Sequence, residues 1–355
     1  MSKVLMKGNE AIAEAAIQAG CKAFFGYPIT PQNEIPEYMA RKLALNNGVF
    51  VQAESEISAI NMVYGAASSG VRVMTSSSSP GIALKQEGIS YLAGSELPAV
   101  IVSVTRGGPG LGGILPSQAD YFQATRGGGN GDYQVIVYAP KGVQEATNLV
   151  QKAFDTAEKY RNPVMVIADG VIGQMMEPVE LSPSDAPEFD RSWAATGESG
   201  TRGHRNIVNS LYLDPKQLED HNIRLQAKYR KIEEQEVMYE TIGIEDAEVA
   251  LVAYGTPSRI AMNAMSQLNT MGIKTGLIRP ITLWPFPKDV FAQLPASVKH
   301  VVVCELSMGQ LVQDVRLYTK DEVPVHHYGR AGGMIFTPQE IIDFVKEVAG
   351  GNDHA

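Results

Sequence analysis

The chain has 355 residues, of which 44% are hydrophobic and 19% charged, and its formal net charge is −9. That length suits two domains of ordinary size, and the composition excludes a disordered or fibrous protein. With no basic tract to neutralise phosphates, nucleic acid is excluded as a partner, and no membrane-length run escapes Gly, Pro or charge.

Residues 9–19 carry a helical period, and 21–25 read as a short strand. The next stretch is punctuated by Gly26, Pro28 and Pro31. Proline fixes φ and pushes the residue before it out of the helical region, so Ile29 and Thr30 are extended or turning. A helical pattern begins at Asn33 and Glu34 and continues through Ile35 and Tyr38. Thr30 is therefore either an ordinary residue near a helix start or a free hydroxyl on a rigid turn.

Strands follow at 49–51 and 71–75, separated by a helix that opens at Glu56. Ile57, Ile60, Met62, Val63, Tyr64, Ala66 and Ala67 make that helix too apolar for a surface, and Gly65 allows close backbone approach, so it is predicted buried. Glu54 and Glu56 stand at its first turn, where acids ordinarily complement the helix dipole. The alternative is that one of them lies in an apolar pocket and hydrogen-bonds a cofactor ring nitrogen. Composition does not choose between these readings.

Residues 99–105, 133–138 and 163–168 are continuous β-branched runs, as strands buried on both faces should be, and a parallel α/β sheet follows. From 178 to about 240 the periodicity fades. Pro183 and Pro187 break any long element, and a mixed-charge run at 228–236 supplies one exposed helix. A second α/β unit begins with a strand at 247–254, a helix through Leu268, and strands at 274–279 and 300–305. The expected organisation is an α/β domain over 1–180, a connecting arm over 181–242 and a second α/β domain over 243–350.

Gly108, Gly110 and Gly113 match G-x-G-x-x-G after a strand, but Ile114, Leu115 and Pro116 continue as loop where a dinucleotide site needs a helix. A glycine-rich loop bearing Arg106 instead lets backbone approach a small ligand while the guanidinium forks a carboxylate, unless Arg106 pairs with Asp120. Cys21 and Cys304 lie far apart and outside any CxxC pair, so both read as inert core thiols and any iron–sulfur centre must come from another chain. His326 and His327 read as solvent-facing or core-satisfied. No apolar leader with a cleavage site precedes the first helix, which makes the cytoplasm the expected compartment.

Residues 27–31 (YPITP), 54–56 (ESE), 75–81 (TSSSSPG) and 103–109 (SVTRGGP) stand in the order and spacing of the α subunit of 2-oxoacid:ferredoxin oxidoreductases. The chain resembles that family over nearly its whole length. Residues 106–113 (RGGPGLGG), 118–123 (QADYFQ) and 131–133 (GDY) look like the branched-chain, 2-oxoisovalerate type. The resemblance implies a thiamine diphosphate-binding fold, with a pyrimidine-binding domain followed by a domain like the C-terminal one of transketolase.

It further implies Glu56 as the glutamate at the pyrimidine, with Glu54 as the reserve, Arg106 as holder of the 2-oxoacid carboxylate, and Thr30 beside its keto group. Tyr27, Pro28, Ser78 and Ser79 would line the cofactor. Asp169 and Gly170 match only part of the diphosphate and metal motif, so that half-site is expected on a β subunit, with Mg2+. The [4Fe-4S] clusters are expected on partner subunits, and γ and ferredoxin-like δ subunits or domains are expected beside β, with ferredoxin as acceptor. The implied reaction is oxidative decarboxylation, with coenzyme A taking the acyl group. A 2-oxoglutarate enzyme is the alternative within the family, and it would need a second basic residue, for which Arg126 is the nearby candidate. A non-catalytic scaffold subunit is the alternative from another class, and a nicotinamide dehydrogenase the least supported.

Overall fold

The computed structural model describes residues 3–182, 188–198 and 202–350, and Pro183 and Pro187 lie outside them. In chain order the first unit runs β1 (Val4–Lys7), α1 (Gly8–Gln18), β2 (Ala23–Gly26), α2 (Glu34–Lys42), β3 (Val49–Gln52), α3 (Glu56–Ser68), β4 (Val73–Ser77), α4 (Ser79–Gly94) and β5 (Ala99–Thr105). It continues with α5 (Tyr121–Arg126), β6 (Ile136–Tyr138), α6 (Val143–Tyr160), β7 (Pro163–Asp169), α7 (Gly170–Gln174) and β8 (Met176–Val179). Then come α8 (Pro215–Gln235), β9 (Tyr239–Ile242), β10 (Val249–Val252), α9 (Gly255–Thr270), β11 (Thr275–Pro280) and β12 (Thr282–Trp284). The chain closes with α10 (Lys288–Ala292), β13 (His300–Glu305), α11 (Leu311–Tyr318), β14 (Val325–Gly329) and α12 (Pro338–Ala349).

Every residue of β5 and β7 is buried, in keeping with their continuous β-branched, largely apolar sequences, and they pair in parallel at the middle of a seven-stranded sheet of order β12-β6-β7-β5-β4-β2-β3. All neighbours in it are parallel except β12, which runs antiparallel to β6. A five-stranded sheet of order β14-β13-β10-β11-β9 forms the second unit, parallel except where β9 pairs with β11. Helices α1 and α6 pack together beside the first sheet, and α3 packs on α4. The two units are interlocked rather than strung out: β12 comes from the second unit yet completes the edge of the first sheet, while β9 leaves the arm to complete the second.

Three sequence expectations change. The 133–138 strand shortens to β6, because Tyr133 turns its hydroxyl back to accept from the Gly129 amide at 3.1 Å and to donate to Gln86 Oε1 at 3.3 Å. The exposed arm helix is α8, and it is half buried: His221, Leu225, Tyr229 and Ile232 make one inward stripe among its charges. Helix α3 is not a buried helix either. Ala59, Ile60, Val63 and Ala67 face inward, but Ile57 is 50% exposed and a side chain at Gly65 would meet nothing within 4 Å. Its apolar outer face is open.

Cys21 and Cys304 are buried free thiols, and burial pushes each up to about 12, which fits inert core residues.

Candidate functional site

Strands β5, β4, β2 and β3 are neighbours and run parallel, so the segments leaving their C-terminal ends lie side by side along one edge. Arg106 follows β5, Ser78 follows β4, the 27–31 turn follows β2, and Glu56 opens the helix after β3. Parallel topology thus gathers motifs that are up to eighty residues apart in roughly the place where α/β sheets bind ligands.

Ser55 caps α3, its hydroxyl accepting from the Ser58 amide at 3.2 Å, and this fixes Glu56 in the first turn pointing into the protein. Glu56 is 6% exposed, whereas Glu54 lies on the surface. The Glu56 carboxylate accepts no hydrogen bond from the described residues. It lies over Gly81 in α4, where an added side chain would stand 2.6 Å from Glu56 Oε1 and 2.1 Å from Ser77 Oγ. Only glycine permits that approach. The Ser77 hydroxyl faces the same Gly81 position, and among the described residues the buried hydroxyls of Ser77 and of its neighbour Ser78 have no partner. The buried acid and the Ser77 hydroxyl form a polar patch still short of hydrogen-bond partners.

Ser79 is engaged elsewhere. Its hydroxyl accepts from the Arg106 amide at 3.0 Å and donates to Asp120. Burial pushes the Asp120 carboxyl up, partly offset by the Ser79 bond and the Arg106 charge. The sequence alternative that Arg106 pairs directly with Asp120 is replaced by this linkage through Ser79.

Arg106 bridges to Pro116 across the glycine loop, and its guanidinium donates to Thr30 O at 2.9 Å and Leu111 O at 3.2 Å. The structure therefore brings Arg106 and Thr30 together, but most of the fork is spent on backbone carbonyls. The buried Nε of Arg106 has no partner. The loop closes on itself through the Gly113 amide to Gly107 O at 2.9 Å, and no helix opens at Gly113.

Behind the turn, Asn9 donates to Pro31 O and to Glu34, both at 2.8 Å, fastening it to α1. Thr30 Oγ1 accepts from Asn33 at 3.4 Å and borders a cavity of about 530 Å³ whose other walls include Ile114, Leu115, Pro116 and Val171. Tyr27 and Pro28 are exposed at the turn's tip. A larger cavity of about 900 Å³, lined by Arg126, Trp284, Phe286, Asp314 and Tyr318, contains none of Thr30, Glu56 and Arg106. The smaller one is lined by Thr30 but not by Glu56, Ser77, Ser78 or Arg106.

One residue that sequence reasoning passed over is Lys85. It is fully buried in α4, donating to Thr75 Oγ1 at 2.6 Å and Ser76 O at 3.1 Å. Its only sequence signal is a lysine between apolar helix positions, which reads as a solvent face because Gln86 and Glu87 follow.

Other candidates resolve into architecture. Arg126 forks Asp314 of the second unit at 3.1 and 2.6 Å. The Asp169 carboxylate caps α7, accepting from the Val171 and Ile172 amides at 2.9 and 3.3 Å. The same carboxylate takes the Thr256 amide at 3.2 Å and the Thr256 hydroxyl at 2.8 Å, so it is saturated. His326 stands 3.3 Å from His300, and His327 is 3.5 Å from Glu305.

Residues 14–241 match the model of the pyruvate flavodoxin/ferredoxin oxidoreductase thiamine diphosphate-binding family, and 247–341 match pyruvate:ferredoxin oxidoreductase core domain II. The ketoisovalerate oxidoreductase subunit VorB of Methanothermobacter thermautotrophicus is 49% identical, with 99% of both chains covered. The 2-oxoglutarate synthase subunit KorA of Methanocaldococcus jannaschii is 38% identical over 96% of this chain and 98% of its own. Among solved structures, a 2-oxoglutarate:ferredoxin oxidoreductase from Magnetococcus marinus superposes with a TM-score of 0.88 at 31% identity, over 98% of this chain and 65% of that one. A split-gene transketolase, at 16% identity and TM-score 0.59, shares the fold. The chain belongs to the thiamine diphosphate-binding family of pyruvate flavodoxin/ferredoxin oxidoreductases.

Proposed function

We propose that this chain is the α subunit of a 2-oxoacid:ferredoxin oxidoreductase that oxidatively decarboxylates 2-oxoisovalerate to its acyl-CoA. The observation that carries this reading is the buried Glu56 carboxylate, without a hydrogen-bond donor among the described residues and meeting the orphaned Ser77 hydroxyl over Gly81. Such a patch fits an aminopyrimidine, which offers a ring nitrogen and an amino group. Glu56 would hold the ring nitrogen, and Ser78 and the Tyr27, Pro28 turn would line the ring, while Ser79 would act by holding the Arg106 backbone. Thiamine diphosphate, when bound, would supply the nucleophilic carbon and the electron sink that decarboxylation of a 2-oxoacid needs.

The protein's own contribution is positioning and proton control. The buried Nε of Arg106 is unpartnered among the described residues and would serve a substrate carboxylate, while Nη1 holds the Thr30 carbonyl and Nη2 that of Leu111, which ties Arg106 to the Thr30 turn. Glu56, sheltered from water, holds a proton at the ring nitrogen.

Two features favour a branched-chain acid over 2-oxoglutarate. The cavity at Thr30 is walled by Ile114, Leu115, Pro116 and Val171, and Arg126, the cation that could read a distal carboxylate, is already forked by Asp314. The relatives named for ketoisovalerate are also more similar in sequence than those named for 2-oxoglutarate.

Saturation of Asp169 by Thr256 and the α7 amides supports placing the Mg-diphosphate half-site on a β subunit, with [4Fe-4S] clusters on further subunits, ferredoxin as acceptor, and coenzyme A as cosubstrate. Among the described residues no helix is long and apolar enough to cross a membrane, and the cytoplasm is the proposed compartment. Carbon dioxide release and viologen reduction by the purified complex test the assignment. Coenzyme A-dependent turnover of 2-oxoisovalerate well above 2-oxoglutarate is expected. The reverse preference overturns the substrate, and absence of turnover on either overturns the reading.

A further inference from the structure

A fully buried lysine lies directly behind the site, and nothing in the proposed chemistry uses it. Lys85 sits one turn beyond Gly81 on α4, and Gly81 is the residue over which the Glu56 carboxylate rests. Among the described residues its amine has two bonds, to Thr75 Oγ1 at 2.6 Å and to Ser76 O at 3.1 Å. Each leads to the turn. Thr75 in turn donates to Phe25 O at 2.6 Å, at the end of β2. The Ser76 hydroxyl donates to Gln32 Oε1, and Gln32 donates to Tyr27 O at 3.3 Å. Among the described residues the charged group that acts on the amine is Glu56, from α3.

An isolated buried ammonium costs free energy unless something in the structure uses it, and a methionine of similar volume would fill the same space without that cost. Burial pushes Lys85 down to about 7, opposed by the Glu56 carboxylate, so its charge is poised at neutral pH.

We propose that Lys85 is a positioning residue of this site, its buried amine pinning the end of β4 to the 25–32 turn that carries Thr30 while presenting a positive charge to Glu56. The cofactor part of this rests on the function proposed above.

The test has two arms. In the first, the full chain without cofactor is melted from pH 6 to pH 10 as wild type, Lys85→Met, Lys85→Gln, Glu56→Gln and the Lys85→Met/Glu56→Gln double variant. A lysine lowered on folding leaves the unfolded chain holding more protons above neutrality, so stability rises with pH there. Wild type should therefore gain on Lys85→Met and Lys85→Gln as pH rises above 7. In Glu56→Gln the gain should begin at lower pH, and the double variant should depart from additivity. A pH-independent difference, or strict additivity, overturns the coupling. Lys85→Gln keeps a hydrogen-bond donor for Thr75 and guards against a simple folding failure in Lys85→Met.

In the second arm, the assembled complex carrying Lys85→Met should bind thiamine diphosphate more weakly and lose about ten- to hundredfold in kcat, as misplacement of a site does, with KM for the 2-oxoacid changed less than about threefold. Unchanged cofactor affinity and kcat overturn the positioning role. A wild-type complex that binds no thiamine diphosphate overturns the proposed function instead, and the melting series still decides whether Lys85 and Glu56 are coupled.

Discussion

Glu56 and Glu305 are both buried glutamates near the end of a parallel strand, one in each unit, and they have opposite surroundings. The Glu305 carboxylate accepts from the Ser307 hydroxyl at 2.5 Å and from the amides of Gln310, Leu311 and Val312 at 3.0, 3.0 and 3.1 Å. It closes the N-terminus of α11 and has nothing left to offer. Glu56 begins its own helix, reaches over Gly81, and has no donor among the described residues. Burial alone therefore does not mark a functional acid. What marks it is burial combined with unmet hydrogen-bonding capacity, since folding gains nothing from leaving such a group unpaired.

The comparison breaks most visibly at Glu56. Glu56→Gln should cost the complex about 10²- to 10⁴-fold in turnover, the usual scale for a lost proton-transfer group, while the melting temperature stays close to wild type. Loss of stability with retained turnover would assign Glu56 to architecture. Glu305→Gln should do the reverse. Weakening several amide bonds to a charged acceptor should cost about 2–3 kcal/mol in denaturant unfolding, with normal kcat in whatever complex assembles.

Arg106→Lys keeps a cation but loses the planar fork that holds Thr30 O and Leu111 O, and kcat/KM for the 2-oxoacid should fall about ten- to hundredfold. An Arg106→Lys complex as active as wild type would mean that the fork does not organise the site.

Glu236 is a third, satisfied acid, and it sharpens the contrast through pH. Burial pushes its carboxyl up, but Lys159 and Lys152 outweigh that and hold it below the usual range. Stabilisation from a depressed acid is present above the unfolded value of 4.5 and is lost as pH falls through the folded one. The melting-temperature advantage of wild type over Glu236→Gln should therefore shrink below about pH 4.5. A constant advantage would sever the lysine pairs from its stability. The smallest effect is expected at Arg126, where Arg126→Leu should change the 2-oxoisovalerate to 2-oxoglutarate rate ratio by less than about twofold, because its fork is spent on Asp314. A large swing would make it a substrate reader after all.

Much of the first unit was legible because its signals are local. Continuous β-branched runs at 99–105 and 163–168 read as strands buried on both faces, and they become central strands, while the prolines around Thr30 dictate a turn wherever they stand. Residues 133–135 and the outer face of α3 were misread because both depend on neighbours. Tyr133 left the strand for a hydroxyl contact with Gln86, and the apolar positions of α3 that lack an intrachain partner look in sequence like those that have one. In α8 the charges concealed a buried stripe of four residues.

By itself the sequence determined which segments are strands and helices, where the rigid turn lies, and the set of groups able to do chemistry, because backbone preference and hydrophobic period are encoded within a few residues of each position. Only the tertiary structure decided that Glu56 is buried and Glu54 is not, that Arg106 reaches Thr30, that Arg126 and Asp169 are already filled, and that Lys85 lies beneath the site. Those outcomes depend on which strands become neighbours in a parallel sheet, and pairing between distant segments sets each group's burial and its supply of partners.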